Sequence, residues 1–158
     1  MIQHAIEEMS VKITRGDIER AISELTILER IVRELQARLL ALESSIGEHN
    51  RSLELLDEIA KHQGEVKGLM PIGAGVLAEG VITSPDTFRV NIGDNVFIDM
   101  SLDRCRGWLM ARRQRLEQAH AETSRALQSY SERAEAVRRF LASIERAVGE
   151  EQSGKGEA

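Results

Sequence analysis

From Ile18 to Ala60 apolar residues return at heptad spacing in two interleaved registers, and this periodicity constrains the fold more than any other feature of the chain. One register holds Ile18, Leu25, Val32, Leu39, Ile46, Leu53 and Ala60, and the other holds Ala21, Leu28, Leu35, Leu42, His49 and Leu56. Such a helix carries one narrow apolar stripe and needs a second helix to cover it. A second stretch repeats the pattern. It places Leu102, Leu109, Leu116, Thr123, Tyr130, Val137 and Ile144 beside Cys105, Arg112, Ala119, Ala126, Arg133, Phe140 and Ala147. That seam is looser. Leu127, Leu141 and Val148 lie one position over, so the stripe drifts as it does on a straight helix.

The predicted helices cover residues 17–63 and 101–148. Asp17 and Ser101 are the expected N-caps, and Asp103 complements the positive first turn. Lys61 and His62 suit a helix C-terminus, with Gly64 as the left-handed stop. Each helix would extend on the order of 70 Å at 1.5 Å per residue. Matched lengths joined by a compact middle predict an antiparallel coiled-coil hairpin, with Ile18 and Leu25 near Val148 and Phe140. Aromatic residues are only 3% of the chain and charged residues 30%, which suits long helices with a thin apolar seam.

Residues 65–100 change character. Five glycines and the chain's only prolines, Pro71 and Pro85, separate short β-favouring runs at 70–72, 76–83, 88–92 and 96–99. Ser84-Pro85-Asp86 and Gly93-Asp94-Asn95 are turn sequences. Two consecutive β-hairpins are predicted. The fold class is therefore mainly α with a small β part, the hairpins lying at the connecting end of the helix pair. Four short strands cannot enclose a core of their own. Val81, Ile82, Phe88, Val90, Ile92, Val96, Phe97 and Ile98 crowd this segment, while each helix uses its single stripe on the other helix. Covering these strands by pairing with other subunits is the main expectation. The competing arrangement folds them back over the helix bases within a monomer.

The remaining signals exclude several function classes. A formal charge of −5 provides no overall basic field for nucleic acid. Cys105 is the sole cysteine, so neither an intramolecular disulfide nor a multi-cysteine zinc site is possible. Gly73, Gly75 and Gly80 are not followed by Gly-Lys-Ser/Thr and do not make a phosphate loop. His4, His49, His62 and His120 form no metal pair, and His49 reads as a polar break that sets register. Nothing arranges Ser, His and Asp as nucleophile and base. No catalytic, metal or cofactor site is expected, and the protein is not expected to be an enzyme. Arg104, Arg106, Arg112, Arg113 and Arg115 read as a solvated face that pairs with acids, with a salt-sensitive nucleic-acid contact as the other option. Trp108 is expected where helices meet strands. Residues 1–13 carry Glu7, Glu8 and Lys12 and no long apolar run, which does not read as a signal peptide. No window suits a membrane span, and a cytoplasmic location is expected.

Pro71-Ile72-Gly73-Ala74-Gly75, Gly80-Val81-Ile82 and Val90-Asn91-Ile92-Gly93, set between two helices of equal length, closely resemble the prefoldin alpha class over roughly residues 17–148. Room for two hairpins, where a beta-class subunit carries one, favours alpha. The resemblance implies an ATP-independent chaperone subunit in a hexamer of two alpha and four beta subunits. Its strands would join an oligomeric β-barrel, the platform. Its coiled-coil tips would hold non-native client proteins and pass them to a group II chaperonin without nucleotide hydrolysis. The strand residues named above map to the platform. Ile18, Ile22, Leu25, Phe140, Leu141, Ile144 and Val148 map to the client-binding tip. Residues 1–16 depart from the pattern. Ile2, Ile6, Met9 and Ile13 have helical spacing and form either an extra apolar arm at the tip or a disordered leader. Residues 149–158 read as a disordered polar tail. The alternative function is a structural or scaffolding coiled-coil subunit of another prefoldin-like assembly.

Overall fold

The computed structural model describes residues 13–154, with side chains described through residue 148. Its elements run helix α1 (Arg15–Ala60), strands β1 (Val66–Gly73), β2 (Val76–Ile82), β3 (Thr87–Gly93) and β4 (Val96–Ser101), and helix α2 (Leu102–Gly154). The predicted order of helix, two hairpins and helix is present, but the helix ends differ from expectation.

Helix α1 begins two residues early because Thr14, not Asp17, is its cap. The Thr14 Oγ1 accepts the Asp17 backbone N–H at 3.2 Å, and Asp17 Oδ2 accepts the Thr14 backbone N–H at 2.8 Å and its hydroxyl at 2.6 Å. This is a reciprocal capping box, with Asp17 in the third helical position. At the other end Lys61 and His62 N–H groups donate three residues back, to Glu58 and Ile59 carbonyls at 3.1 and 3.0 Å. That tightened turn closes α1 at Ala60, and Gly64 follows at φ +100°. Ser101 caps α2 as expected, its Oγ accepting the Arg104 N–H at 3.4 Å. Helix α2 does not stop at Gly149. The tail expected to be disordered from that point is helical through Gly154, since one interior glycine costs only ~1 kcal/mol. Residues 155–158 lie outside the described residues, as do Ile2, Ile6 and Met9.

The strands form two separate antiparallel pairs, β1 with β2 and β3 with β4. Both turns share one construction. Gly73 pairs with Val76 and Gly93 with Val96. The two residues between them take positive φ in each hairpin: 49° and 79° at Ala74 and Gly75, 48° and 59° at Asp94 and Asn95. Positive φ at both central positions is the type I′ turn that matches strand twist. Each turn is preceded by a register slip and a glycine, Gly73 or Gly93, at φ 113° or 129°. The repeated sequence Ile-Gly-x-x-Val is the signature of this device. Between hairpins the Thr87 N–H donates to Ser84 O at 3.4 Å across Pro85 and Asp86. Ala74 is the one residue in the first turn that tolerates positive φ poorly. Ala74→Asn, creating the Asn-Gly pair this turn prefers, should slow amide exchange in β1–β2 about fivefold, the equivalent of ~1 kcal/mol of relieved strain. Unchanged exchange would show that the turn does not limit hairpin opening.

The chain divides into two units, residues 40–122 and the segments to either side of them. In the 40–122 unit three polar contacts tie α1 to α2. Arg106 pairs with Asp57, Arg113 Nη1 donates to Asn50 Oδ1 at 3.1 Å, and His120 Nε2 lies 3.1 Å from Glu43 Oε1. Each step of seven residues on one helix matches seven on the other in the opposite direction, so the pairing is antiparallel and in heptad register. Leu56, Met100 and Cys105 form the buried cluster, and Phe88, Val90, Ile98, Trp108 and Leu109 pack against it. Trp108 is thus where it was expected. Ile59 is the most enclosed large side chain here and takes the place expected for the exposed Ala60.

In the other unit Arg133 pairs with Glu24 at 2.6 Å and Arg138 with Glu29 at 2.9 Å, again across the helices. Ala21, Leu28, Thr123 and Ala134 are buried. The second register proposed for α2 holds at Cys105, Ala119 and Ala126, which are buried or half-buried, and is corrected at its other four positions. Arg112 is exposed, its guanidinium 5.1 Å from the Trp108 ring centroid. Arg133, Phe140 and Ala147 are also exposed, while Ala134 is buried and Leu127 and Leu141 half-buried. A straight helix loses ~20° per heptad against a 3.5-residue repeat. Over the four heptads after Cys105 that amounts to nearly one residue, which moves the seam from position 133 to 134.

Candidate functional site

The two hairpins differ in what covers them. In the second, Phe88 opposes Met100 and Val90 opposes Ile98, and these four share the face that packs on the helix-base cluster. The opposite face carries Arg89 and Asp99, which pair at 2.9 Å. That ion pair holds the Asp99 carboxyl below the usual carboxylate range. This is a one-sided sheet of the ordinary kind, hydrophobic inward and polar outward. The expectation that no part of the chain could cover the strands is therefore wrong for this hairpin. Phe88, Val90 and Ile98 contribute to an intrachain core, packing on the cluster of Leu56, Met100 and Cys105 together with Trp108 and Leu109. Toward the turn, Ile92, Val96 and Phe97 remain exposed.

The first hairpin lacks such a base. Leu69 and Leu77 are 64% and 56% exposed, and Ile72, Val76 and Val81 are exposed as well. Val66, Ala78, Gly80 and Ile82 are half-buried, and Ile82, at the end of β2, faces a cleft it shares with Leu55, Ile59 and Phe88. The pairing puts Leu69, Pro71, Leu77 and Val81 on one face and Met70, Ala78 and Gly80 on the other. Met70 lies over Gly80, whose missing Cβ would come within 2.5 Å of the Met70 sulfur. An exposed hairpin with open edges and apolar residues on both faces, Lys67 and Glu79 lying among them on one, is a surface suited to pairing.

The second surface lies where the start of α1 meets the last third of α2. Of the seven residues mapped to a tip, Ile18, Leu25, Leu141 and Ile144 are half-buried along the seam, and Ile22, Phe140 and Val148 are exposed. The structure adds a groove of about 500 Å³ with Ile13, Ala21, Val137 and Phe140 among its lining. Sequence reasoning had Ile13 in either an extra apolar arm at the tip or a disordered leader, and did not single out Ala21 or Val137 as groove residues. The capping box at Thr14 is the signal that would have placed Ile13 beside the helix end. Ile13 and Ile18 hold the N′ and N4 positions of a hydrophobic staple.

The cap also gives this end a pH response. Hydrogen bonds from the Thr14 hydroxyl, then its backbone N–H, and the neighbouring Arg20 hold the Asp17 carboxyl below its ordinary value. A lowered folded value means the cap is complete at neutral pH and lost as pH falls through that lowered value. NMR shifts of residues 15–18 should therefore titrate with a midpoint below that of free aspartate, and Asp17→Asn should abolish the transition. A midpoint at or above the free value would contradict the capping box.

Among the described residues no three His, Cys, Asp or Glu side chains are grouped to hold a metal ion, and no helix is long and apolar enough to cross a membrane. His49 is half-buried with Nδ1 2.7 Å from the Ser45 carbonyl. Of the arginine stretch, Arg106 and Arg113 are engaged with α1, and Arg112 with Trp108.

A family profile described as Prefoldin subunit matches residues 28–147. The chain is 29% identical over 111 residues to a prefoldin subunit alpha of Methanopyrus kandleri, covering 70% of this chain and 71% of that one. It is 25% identical over 126 residues to the prefoldin subunit alpha of Archaeoglobus fulgidus, covering 80% and 92%. In fold it is similar to a chain in the cryo-EM structure of filamentous PFD from Methanocaldococcus jannaschii, with a TM-score of 0.60 at 16% identity over 81% of this chain and 98% of that one.

Proposed function

We propose, from the premise that this chain belongs to the prefoldin family and is a chaperone-type subunit similar to archaeal alpha subunits, that it holds non-native proteins at its helix tips and delivers them to a group II chaperonin without nucleotide hydrolysis. The observation that carries this reading is the family match across residues 28–147, which takes in all four strands and most of both helices. In the proposal the chain assembles with beta-class subunits, two alpha with four beta, in the cytoplasm. The exposed face of the first hairpin and Ile92, Val96 and Phe97 form its share of a β-barrel.

The physics of holding fits the tip. A holdase needs weak, adaptable apolar patches rather than a deep pocket. Each exposed aliphatic or aromatic side chain buried against a client contributes roughly 1.5–3 kcal/mol, most of which association costs offset. Several tips on one platform convert such contacts into avidity. Phe140 is exposed and lines the tip groove, so it is the strongest candidate of the set.

Phe140→Ser in the assembled complex should raise the concentration needed for half-maximal suppression of client aggregation severalfold. Leu141→Ser and Ile144→Ser, which touch the half-buried seam, should also loosen the helix pair. An intact assembly of Phe140→Ser that protects as well as the wild type removes this residue from the site. An assembly of the wild-type chain with beta-class partners that gives no protection to any client supports the scaffolding alternative.

A further inference from the structure

We infer that α2 carries, between Arg104 and Arg115, a docking strip for an extended acidic segment of a partner protein. The strip lies wholly within residues 40–122 and does not depend on the client-holding reading above. By α-helical geometry Arg104, Trp108, Arg112 and Arg115 fall within about 80° of arc and about 16 Å of length. This flank is distinct from the one that grips α1. There Arg106 pairs with Asp57, and Arg113 donates to Asn50 Oδ1 at 3.1 Å and lies 3.4 Å from Glu117 Oε1. Arg104, Arg112 and Arg115 are exposed, and none of the three has a carboxylate partner among the described residues. Helix stability gives no reason for them. Arg104 stands in the first turn of α2, where the helix dipole disfavours a cation. Arg112 and Arg115 are like charges three residues apart on one helix. Local costs without an intrachain return point to a counter-charge from outside the chain.

The chemistry of the strip selects a carboxylate-bearing peptide. A guanidinium presents a planar fork of N–H donors that matches a carboxylate. The Arg112 guanidinium is already seated 5.1 Å from the Trp108 ring centroid, so less side-chain freedom is lost when an anion arrives. The spacing fits an extended chain. Arg104 and Arg112 are about 12 Å apart along the helix axis. An extended peptide returns a side chain to the same side every ~6.6 Å, so acids at alternate positions meet both. A long polyphosphate chain suits this flank less well. Trp108 and Arg112 line a cleft of about 530 Å³ together with Glu48 and Asp94, and neither of these acids has a cation partner among the described residues. Residues 40–122 as a whole hold more acids than bases. Both features oppose a ligand that is anionic along its full length. A short segment with a few placed carboxylates avoids them.

The test uses the full-length chain, whose single tryptophan, Trp108, reports from within the strip. A dye-labelled octapeptide alternating glutamate and serine is titrated at low salt and read by anisotropy and by Trp108 emission. An eight-nucleotide oligothymidine with the same dye is titrated alongside. The peptide should bind saturably, shift the Trp108 emission and weaken severalfold at physiological ionic strength. Arg112→Gln with Arg115→Gln should weaken it about three- to thirtyfold, the loss of two solvent-facing ion pairs. Arg30→Gln with Arg33→Gln removes the same net charge from two exposed positions outside the strip and should leave the affinity unchanged. A gain of binding gives a second reading. Arg104→Glu, Arg112→Glu and Arg115→Glu together should transfer binding from the glutamate octapeptide to its lysine counterpart. Absence of saturable peptide binding to the wild-type chain overturns the strip. Equal weakening by the two double variants reduces the effect to net charge and overturns it as well. Tighter binding of the oligothymidine than of the peptide assigns the strip to nucleic acid and overturns the acidic-segment partner.

Discussion

Replacing Leu56 with alanine will lower the unfolding free energy by about 3 kcal/mol, in the middle of the range for buried leucine truncations. Leu56 is 6% exposed and sits in one cluster with Met100 of β4 and Cys105 of α2. It is the α1 member that connects helix, strand and helix at one point. The cavity left by its removal is lined by residues of α1, β4 and α2, so collapse to fill it needs three elements to shift together. At fixed protein concentration the melting temperature should fall by about 6–12 °C for a chain of this size. A second readout is independent of heat. The Cys105 thiol is buried, and burial pushes its pKa up, so a thiol reagent should modify it slowly in the native protein. Modification should accelerate in Leu56→Ala because the second hairpin lifts from its base more often. The neighbouring Leu55→Ala is the control. Leu55 is 57% exposed, and its truncation should change stability by no more than ~0.5 kcal/mol. Equal effects from the two positions would mean that the helix-base cluster is not a core.

The combined change Leu69→Asp and Leu77→Asp should abolish assembly and leave the isolated chain as stable as before. The two leucines stand on one face of the first hairpin, diagonal across the β1–β2 ladder, and both are exposed. In the isolated chain they are in water, so exchanging them for aspartate removes little intrachain packing. If a neighbouring subunit covers them, each contributes roughly 1.5–3 kcal/mol to the interface. Losing both raises the dissociation constant by about 10²- to 10⁴-fold, before the penalty of burying two carboxylates is added. The mass of the complex formed with a beta-class partner, measured by light scattering after gel filtration, reads the effect directly. Phe88→Ala separates the two kinds of strand residue, because it should destabilise the chain itself by about 3 kcal/mol. A complex of unchanged mass from the double aspartate variant would show that the first hairpin is not the assembly surface.

These two expectations separate at the point where sequence reasoning stopped. Phe88 and Val81 look alike in the sequence: both are apolar, both lie in short β-favouring runs, and both were assigned to one oligomerisation set. Only the packing of β3–β4 on Leu56 and Cys105 distinguishes them. The tip shows the same limit. Apolar spacing identified Ile18, Leu25, Leu141 and Ile144, yet it could not say that these lie half-buried in the seam while Phe140 and Ile22 face outward. That division depends on where the stripe has drifted after several heptads, a cumulative angle rather than a local property.

What the sequence determined by itself is everything set by local periodicity and turn chemistry. The α1 seam is the clearest case: its frame runs from Ile18 to Leu56 as read, and each position in it is buried or half-buried. The two hairpins, the Ser101 cap and the glycine beyond α1 follow from residues within a few positions of one another. The repeat of Ile-Gly-x-x-Val was equally legible and marks both type I′ turns. Tertiary structure alone decided which hairpin the helices cover, which α2 residues face α1, and that Ile13 belongs to the groove beside Val137 and Phe140. The physical reason is one of range. A backbone turn or a helix cap satisfies its hydrogen bonds within four residues, whereas burial is settled by surfaces from distant parts of the chain, and more apolar surface was present in the strands than the two helices could cover.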